Sequence, residues 1–269
     1  MGPRILLTGG SGRLGTALRA LVDCIAPSHA EMDITDLNSC RDVRLTLQPD
    51  LVIHAAALAD AVTCERERKR CWDINVRGTA NMLRAFSGIR FVHISTDYVF
   101  SGDEGNYSEE DLPNPVNFYG LSKLASEVAA AQYPKALILR APFRSDPPWR
   151  YDRAFVDQFT SCDFVSERAP QILEAALSFA VGILHIGGPR RSIFELAREA
   201  GPPDVGRMFR CEFGGLRLPR DTSLNSDKKN ASNLQRGEKR RKENLSVPCC
   251  DSLEESGEPG PLRPGDLRA

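Results

Sequence analysis

Long hydrophobic runs are missing from these 269 residues. The most apolar stretch, residues 172–186, contains Glu174 and His185 and falls short of the roughly 18–20 apolar residues that a membrane helix needs, so no bilayer span is expected. A surplus of one charge is missing too. The 35 basic residues stand against 36 acidic ones, a formal net charge of -1, which argues against a chain-wide cationic footprint for nucleic acid. Histidine is scarce, with only His29, His54, His93 and His185. Among the eight cysteines, Cys64 and Cys71 are too widely spaced for a zinc knuckle and Cys249-Cys250 stands alone, so no metal site is expected. The opening Met1-Gly2-Pro3-Arg4-Ile5-Leu6-Leu7-Thr8 holds one basic residue and an apolar run too short for a secretory leader. The expectation is a cytoplasmic protein with reduced, buried thiols.

What remains is a globular composition, 41% hydrophobic and 26% charged. Up to residue 140, short apolar runs (5–7, 51–54, 91–94, 136–139) alternate with stretches whose apolar residues recur at helical spacing (14–21, 37–47, 76–86, 121–131). This order predicts an α/β fold, a Rossmann-type doubly wound parallel sheet with helices on both faces. After Arg140 the texture changes. Pro142, Pro147 and Pro148 with Phe143, Trp149, Tyr151 and Phe155 mark a loop-rich region. A helix near 171–180, a short strand into a turn at 182–188, and a capped helix at 192–200 stopped by Pro202-Pro203 follow. We expect one folded unit over 1–226, with 1–140 mainly dinucleotide-binding and 141–226 a small, mainly substrate-binding part. Residues 227–269 carry a basic block (Lys228, Lys229, Arg236, Lys239, Arg240, Arg241, Lys242), an acidic block and few large apolar side chains. Such a stretch cannot offset its ordering entropy and is expected to be a disordered, charged C-terminal tail. Its basic block reads as a solvated run, ahead of a nucleic-acid or membrane contact.

The chemistry-bearing residues fall at the ends of the expected strands. In Leu7-Thr8-Gly9-Gly10-Ser11-Gly12-Arg13-Leu14-Gly15, three glycines, Gly9, Gly12 and Gly15, follow a strand and open a helix. Glycine there permits a tight turn and close approach to a pyrophosphate, which the helix N-terminus can hold. Asp33-Ile34 could meet an adenine edge, and Ala55-Ala56-Ala57 leaves room for a cofactor across the strand ends. Asn75 reads either as part of that site or as the cap of the helix it precedes. Tyr119 and Lys123 lie one helical turn apart, downstream of Ser95-Thr96-Asp97-Tyr98 at another strand end. An ammonium beside the phenol would lower its pKa and let it exchange a proton, while the Thr96 hydroxyl could donate to a substrate carbonyl. Each motif alone has an ordinary structural explanation. Together they point to a nicotinamide-dependent oxidoreductase.

These segments, with Pro49-Asp50-Leu51-Val52-Ile53-His54, Val99-Phe100 and Pro115-Val116-Asn117-Phe118, resemble the extended short-chain dehydrogenase/reductase family, most closely its dTDP-4-dehydrorhamnose reductase branch. Weaker echoes follow at His185-Ile186-Gly187-Gly188 and Leu218-Pro219-Arg220-Asp221-Thr222-Ser223-Leu224. The resemblance implies hydride transfer from NADPH or NADH to a nucleoside-diphosphate 4-keto sugar. Tyr119 would be the proton donor, Lys123 its partner and ribose anchor, and Thr96 the hydroxyl that orients the carbonyl. Gly9, Ser11, Gly12, Arg13, Leu14, Gly15, Asp33, Ile34, Ala55, Ala56, Ala57, Asn75, Tyr119 and Lys123 would hold the cofactor. Lack of an acid near Ala26-Pro27-Ser28, with Arg13 in the loop, leans toward NADP. The resemblance implies a homodimer and no nucleic-acid or membrane partner. It also brings in an alternative, a non-catalytic NADP-bound regulatory subunit like that of methionine adenosyltransferase. The chain departs from the reductase branch where substrate is chosen. Ala141-Pro142-Phe143-Arg144-Ser145 replaces a Thr-Ser-Trp-like stretch, and Arg144, Arg150, Arg153 and Arg168 become candidates to meet a diphosphate.

Overall fold

The computed structural model describes residues 2–201 and 204–226. The expected tail over 227–269 and the Pro202-Pro203 helix stop lie outside the described residues. The first half runs β1 (Ile5–Thr8), α1 (Arg13–Leu21), α2 (Leu37–Leu47), β2 (Leu51–His54), α3 (Ala61–Arg66), α4 (Arg68–Trp72), a π-helical turn (Asp73–Gly78), α5 (Thr79–Ala85), β3 (Arg90–Ser95), α6 (Phe118–Ala131) and β4 (Ala136–Arg140). The second half contributes β5 (Phe143–Arg144), β6 (Arg153–Phe155), β7 (Phe159–Thr160), β8 (Asp163–Phe164), α7 (Val165–Leu177), β9 (Gly182–His185), β10 (Arg191–Ser192), α8 (Ile193–Ala200) and β11 (Gly206–Met208).

The central sheet is parallel, in the order β1-β2-β3-β4-β9. Its strands are apolar on both faces because helices cover both. Leu7, Ile53, Val92 and Leu139 pack under α1 and α7 (Leu14, Leu18, Ala169, Ile172), while Leu6, Val52, Phe91 and Ile138 pack under α2, α5 and α6 (Cys40, Met82, Ala130). On one side of β1 the chain forms only a parallel bridge of Ile25 to Leu6, because Pro27 ends the extended run two residues later. The chain then crosses from that side of β1 to β2 on the other. The switch point of the topology therefore falls at the C-terminal end of β1, where such sheets leave a crevice.

Helix ends follow local chemistry. Asp36 caps α2 by accepting Asn38 N–H at 2.9 Å, Asn117 caps α6 through Gly120 N–H at 3.0 Å, and Ser192 and Glu195 close a capping box on α8. Two expectations need correction. The helix placed at 171–180 runs over Val165–Leu177, with Pro170 inside it; its apolar face of Val165, Ala169, Ile172 and Ala176 packs on the sheet and holds the helix together through the proline. The helix expected at 76–86 is the end of a longer helical run that starts at Ala61, so Asn75 lies inside a π turn and is not a cap. The later part of the chain does not stand apart from the sheet, since α7 and β9 complete it. Three two-stranded sheets, β7 with β10, β6 with β11 and β5 with β8, belong to the later part of the chain, where Ala154, Ile193, Ala197 and Val205 form a small core of their own and Phe143 of β5 packs on the main one.

Three buried histidines tie the sheet to stability. The Thr79 hydroxyl donates to the Asn75 carbonyl at 2.7 Å, so His54 Nε2 carries the proton toward Thr79 at 3.0 Å and Nδ1 accepts from Thr8 at 2.8 Å. Burial holds the His54 pKa down at about 3, and burial also holds His93 and His185 low. The unfolded chain protonates these rings near pH 6.5 and the folded chain does not, so the unfolded state binds more protons as pH falls. Denaturant titrations at pH 7.5, 6.5 and 5.5 should show stability dropping below pH 6.5, by up to roughly 1.4 kcal/mol per pH unit for each of His54 and His93, with His185 acting in the same direction. The raised carboxyl of Asp97 offsets part of this at the acid end. A stability that stays flat to pH 5.5 would contradict the neutral assignment.

Candidate active site

The loop after β1 is built without side chains because it has no room for them. Gly9 adopts φ +72°, and a Cβ on it would lie 2.8 Å from the Ala55 carbonyl carbon and the Ala56 nitrogen. The structure thus brings the glycine loop against Ala55-Ala56-Ala57. A Cβ on Gly15 would lie 2.1 Å from Gly9 O, so α1 starts hard against the turn. Gly12 begins α1 with no side-chain cap and no acid in the first turn, which leaves the first amides of the helix for an anion. Ser11, Gly12 and Arg13 are exposed there, whereas the Leu14 side chain is in the core and leaves only its amide to the crevice.

Asp33 Oδ1 already accepts the amide and hydroxyl of Thr35, both at 2.8 Å, which hold the carboxyl ionised and leave its second oxygen. Ile34 is buried against Gly78, where a Cβ would meet Ile34 Cδ1 at 2.8 Å. Asn75 acts as a clamp. Its Oδ1 accepts Leu58 N–H at 2.8 Å, and its Nδ2 donates to Leu58 O at 3.0 Å and Ser122 Oγ at 2.9 Å, fixing the segment after β2 to α6.

Tyr119 and Lys123 share a face of α6, as their spacing predicted, but their electrostatics differ from the expectation. Lys123 is buried and donates to the Ile94 carbonyl at 2.8 Å, with His93 Nε2 at 3.4 Å. Burial brings its pKa down to about 8, against the raising influence of Glu127 and Cys71. The Tyr119 phenol is raised above its ordinary value by burial, with Asp97, Cys64 and Tyr98 adding to the rise and a hydrogen bond with Thr96 opposing it. The ammonium is directed to a backbone carbonyl rather than to the phenol, which is why the expected lowering is not found. Thr96 Oγ1 accepts Tyr98 N–H at 3.2 Å and donates to Asp97 Oδ1 at 3.1 Å. Its proton is therefore directed at the Asp97 carboxylate.

Three features were not read from the sequence. Asp97, fully buried, gathers hydroxyls from Thr96, from Thr160 at 3.1 Å and from Thr222 at 2.5 Å, tying the end of β3 to the C-terminal part. Nothing in local sequence signals that convergence, which spans 125 positions. Gln158 donates to Tyr98 Oη at 3.1 Å, and Tyr98 stands edge-on to Tyr119 with centroids 6.0 Å apart. Cys64 and Cys71, two turns apart across the break at Glu67, are buried and share a thiol hydrogen bond that holds Cys71 down at about 7. Of the four candidate arginines, Arg153 pairs with Glu212 and Arg168 with Asp163, Arg150 is exposed, and Arg144 stacks on Trp149. Among the described residues no cluster of metal-ligating side chains occurs.

A glycine turn at the switch point of a parallel sheet, with a strand-end threonine and a Tyr-x-x-x-Lys helix beside it, defines the architecture of an extended short-chain dehydrogenase/reductase. Within that class the chain belongs to the RmlD substrate binding domain family, whose match covers residues 3–163. It is similar to dTDP-4-dehydrorhamnose reductase of Aggregatibacter actinomycetemcomitans, 34% identical over 149 residues that make up 51% of this chain and 50% of that protein. It is also similar to methionine adenosyltransferase 2 subunit beta of Danio rerio, 33% identical over 152 residues, 52% of this chain and 47% of that protein. The chain spans about half the length of the curated relatives it matches. Its fold superposes on dTDP-4-dehydrorhamnose reductase from Bacillus anthracis in complex with NADP, with a TM-score of 0.79, 25% identity, and 89% of this chain and 98% of that one covered. For a hypothetical dTDP-4-dehydrorhamnose reductase from Sulfolobus tokodaii the TM-score is 0.74 at 32% identity, over 88% and 94% of the two chains.

Proposed function

We propose that this chain is an NADP-preferring oxidoreductase that reduces a 4-keto sugar carried on a nucleoside diphosphate. The observation that supports the reading is a glycine turn too tight for side chains after β1, in the same sheet whose β3 leads to Thr96 and whose neighbouring helix α6 carries Tyr119 and Lys123. The residues of the crevice suit a dinucleotide: Gly9, Gly12 and Gly15 clear the space, the uncapped amides of α1 would receive the pyrophosphate, and the exposed Arg13 would be available to a 2'-phosphate. Asp33, Ile34 and Ala55 to Ala57 border the rest. When bound, a reduced nicotinamide supplies the hydride for this chemistry. Tyr119, raised and protonated, donates its proton to the new alkoxide, and Thr96, hydrogen-bonded with the phenol, holds the ring in position. Lys123, at about 8, carries most of its charge at neutral pH and anchors the ribose side. Residues 141–226 supply the sugar side of the cleft, clasped to β3 through Asp97.

The test is absorbance-followed oxidation of NADPH and NADH against a panel of nucleotide 4-keto sugars. Turnover with at least one sugar, faster with NADPH, is the expected result. The likeness to methionine adenosyltransferase 2 subunit beta supports a second reading, a cofactor-bound regulatory subunit. Tight NADP binding with no turnover on any sugar, together with a stable complex with a methionine adenosyltransferase catalytic subunit, would replace the first reading with this one.

A further inference from the structure

Arg144 emerges from the same end of the sheet as Thr96, four residues after Arg140 ends β4, and is held in place as β5 pairs with β8. Its guanidinium lies over the Trp149 ring, with Cζ 5.4 Å from the centroid. Of the other arginines of this region, Arg153 pairs with Glu212, Arg168 and Arg191 with Asp163, Arg190 with Asp221 and Arg210 with Asp157, while Arg150, Arg198, Arg207, Arg217 and Arg220 are exposed to solvent. Arg144 is half-buried, and among the described residues its N–H groups meet no carboxylate or carbonyl. The nearby acids are occupied. Asp146 accepts Ser166 N–H at 3.0 Å, and Asp97 is taken up by its three threonine hydroxyls. The charge of Arg144 acts instead on Tyr98 and Cys162, and Tyr98 is the ring that stands edge-on to Tyr119.

A half-buried guanidinium gives up part of its hydration, an anion is its strongest replacement partner, and its planar fork matches two oxygens of a phosphate. We propose that Arg144 is the anion-recognition residue of the substrate cleft and receives the diphosphate of the nucleotide sugar, one aromatic ring away from the reacting carbonyl. This rests on the reading of the chain as acting on a nucleotide sugar. It also gives a physical role to the point where the chain departs from its relatives: Ala141-Pro142-Phe143-Arg144-Ser145 places a cation at the cleft.

The experiment uses the full chain loaded with NADP, titrated calorimetrically with dTDP, UDP, thymidine, inorganic pyrophosphate, UDP-glucose and UDP-glucuronate, as the wild type, Arg144→Ala and Arg144→Lys. The wild type is expected to bind the nucleoside diphosphates, and Arg144→Ala to weaken them by about 10-fold to 100-fold. Thymidine and NADP affinities should stay unchanged, which shows that the variant is folded, and Arg144→Lys should restore part of the loss. Equal diphosphate affinity in wild type and Arg144→Ala, absence of diphosphate binding by the wild type, or a loss of NADP affinity in the variant would each overturn the assignment. A preference for UDP-glucuronate over UDP-glucose that vanishes in Arg144→Ala would place the anion on the sugar and overturn the diphosphate. Arg144-dependent binding of dTDP or UDP without reduction of any keto sugar would leave the assignment standing and remove the reductase reading.

Discussion

Replacing Tyr119 with phenylalanine is expected to lower ketosugar reduction by about 100-fold to 10,000-fold, the range spanned by loss of a positioned proton donor. NADP affinity should hardly change. The substitution deletes one oxygen and keeps the ring that packs edge-on against Tyr98, so the fold of α6 and the glycine crevice is preserved. Because the phenol is raised above its ordinary value, the donor stays protonated through the neutral range and does not set an alkaline limit. Lys123 does, with its pKa brought down to about 8. The wild-type kcat/KM for reduction should therefore be level below pH 8 and decline above it. Steady-state kinetics over pH 6 to 10, with NADP titrations on both proteins, checks both statements. A Tyr119→Phe protein with wild-type turnover would remove Tyr119 from the chemistry.

The largest stability loss is expected at Glu127. Its carboxylate is buried with the Arg140 guanidinium, at 2.7 Å from Nη2 and 3.0 Å from Nε, and also accepts the Ser95 hydroxyl at 2.5 Å. Arg140 continues over the Phe100 ring at 5.0 Å and meets His185 Nε2 at 3.3 Å. Removing Glu127 as alanine leaves a guanidinium with 1% exposure and no compensating charge, a change that costs about 3–5 kcal/mol. That is a large fraction of the roughly 5–15 kcal/mol by which proteins are stable. Urea unfolding measures it, and a loss under about 1 kcal/mol would show that Arg140 finds another partner. A milder variant, Glu127→Gln, separates packing from charge. Glu127 also raises Lys123, so the alkaline limb of the pH profile should move to lower pH in Glu127→Gln, a readout that a packing role alone would not shift.

How much of this was legible without coordinates depended on how local the physics is. Strands of three or four apolar residues, buried on both faces, announce a parallel sheet, and the bounds expected for β2 and α2 coincide with those observed. The helix that carries Tyr119 and Lys123 was visible because a four-residue spacing on one face is a property of the helix alone. The bridge of Ile25 to Leu6 was not legible, since its extent depends on how the chain turns away at Pro27. The run from Ala61 to Trp72 escaped because its surface is a series of charged pairs, such as Lys69 with Asp73, that hides the apolar period. α7 was placed too late because a proline reads as a boundary, whereas packing on the sheet carries the helix through Pro170.

The sequence by itself determined the glycine turn, the α/β order and the residues able to bear a proton, because each rests on backbone freedom, periodicity or side-chain chemistry within a few positions. Tertiary structure decided what those residues do. It committed the Thr96 proton to Asp97, sent Lys123 to the Ile94 carbonyl, raised Tyr119 by burial, and left Arg144 half-buried over Trp149 with no acidic partner among the described residues. Each outcome depends on desolvation and on partners brought together from distant parts of the chain, and neither can be read from spacing along it.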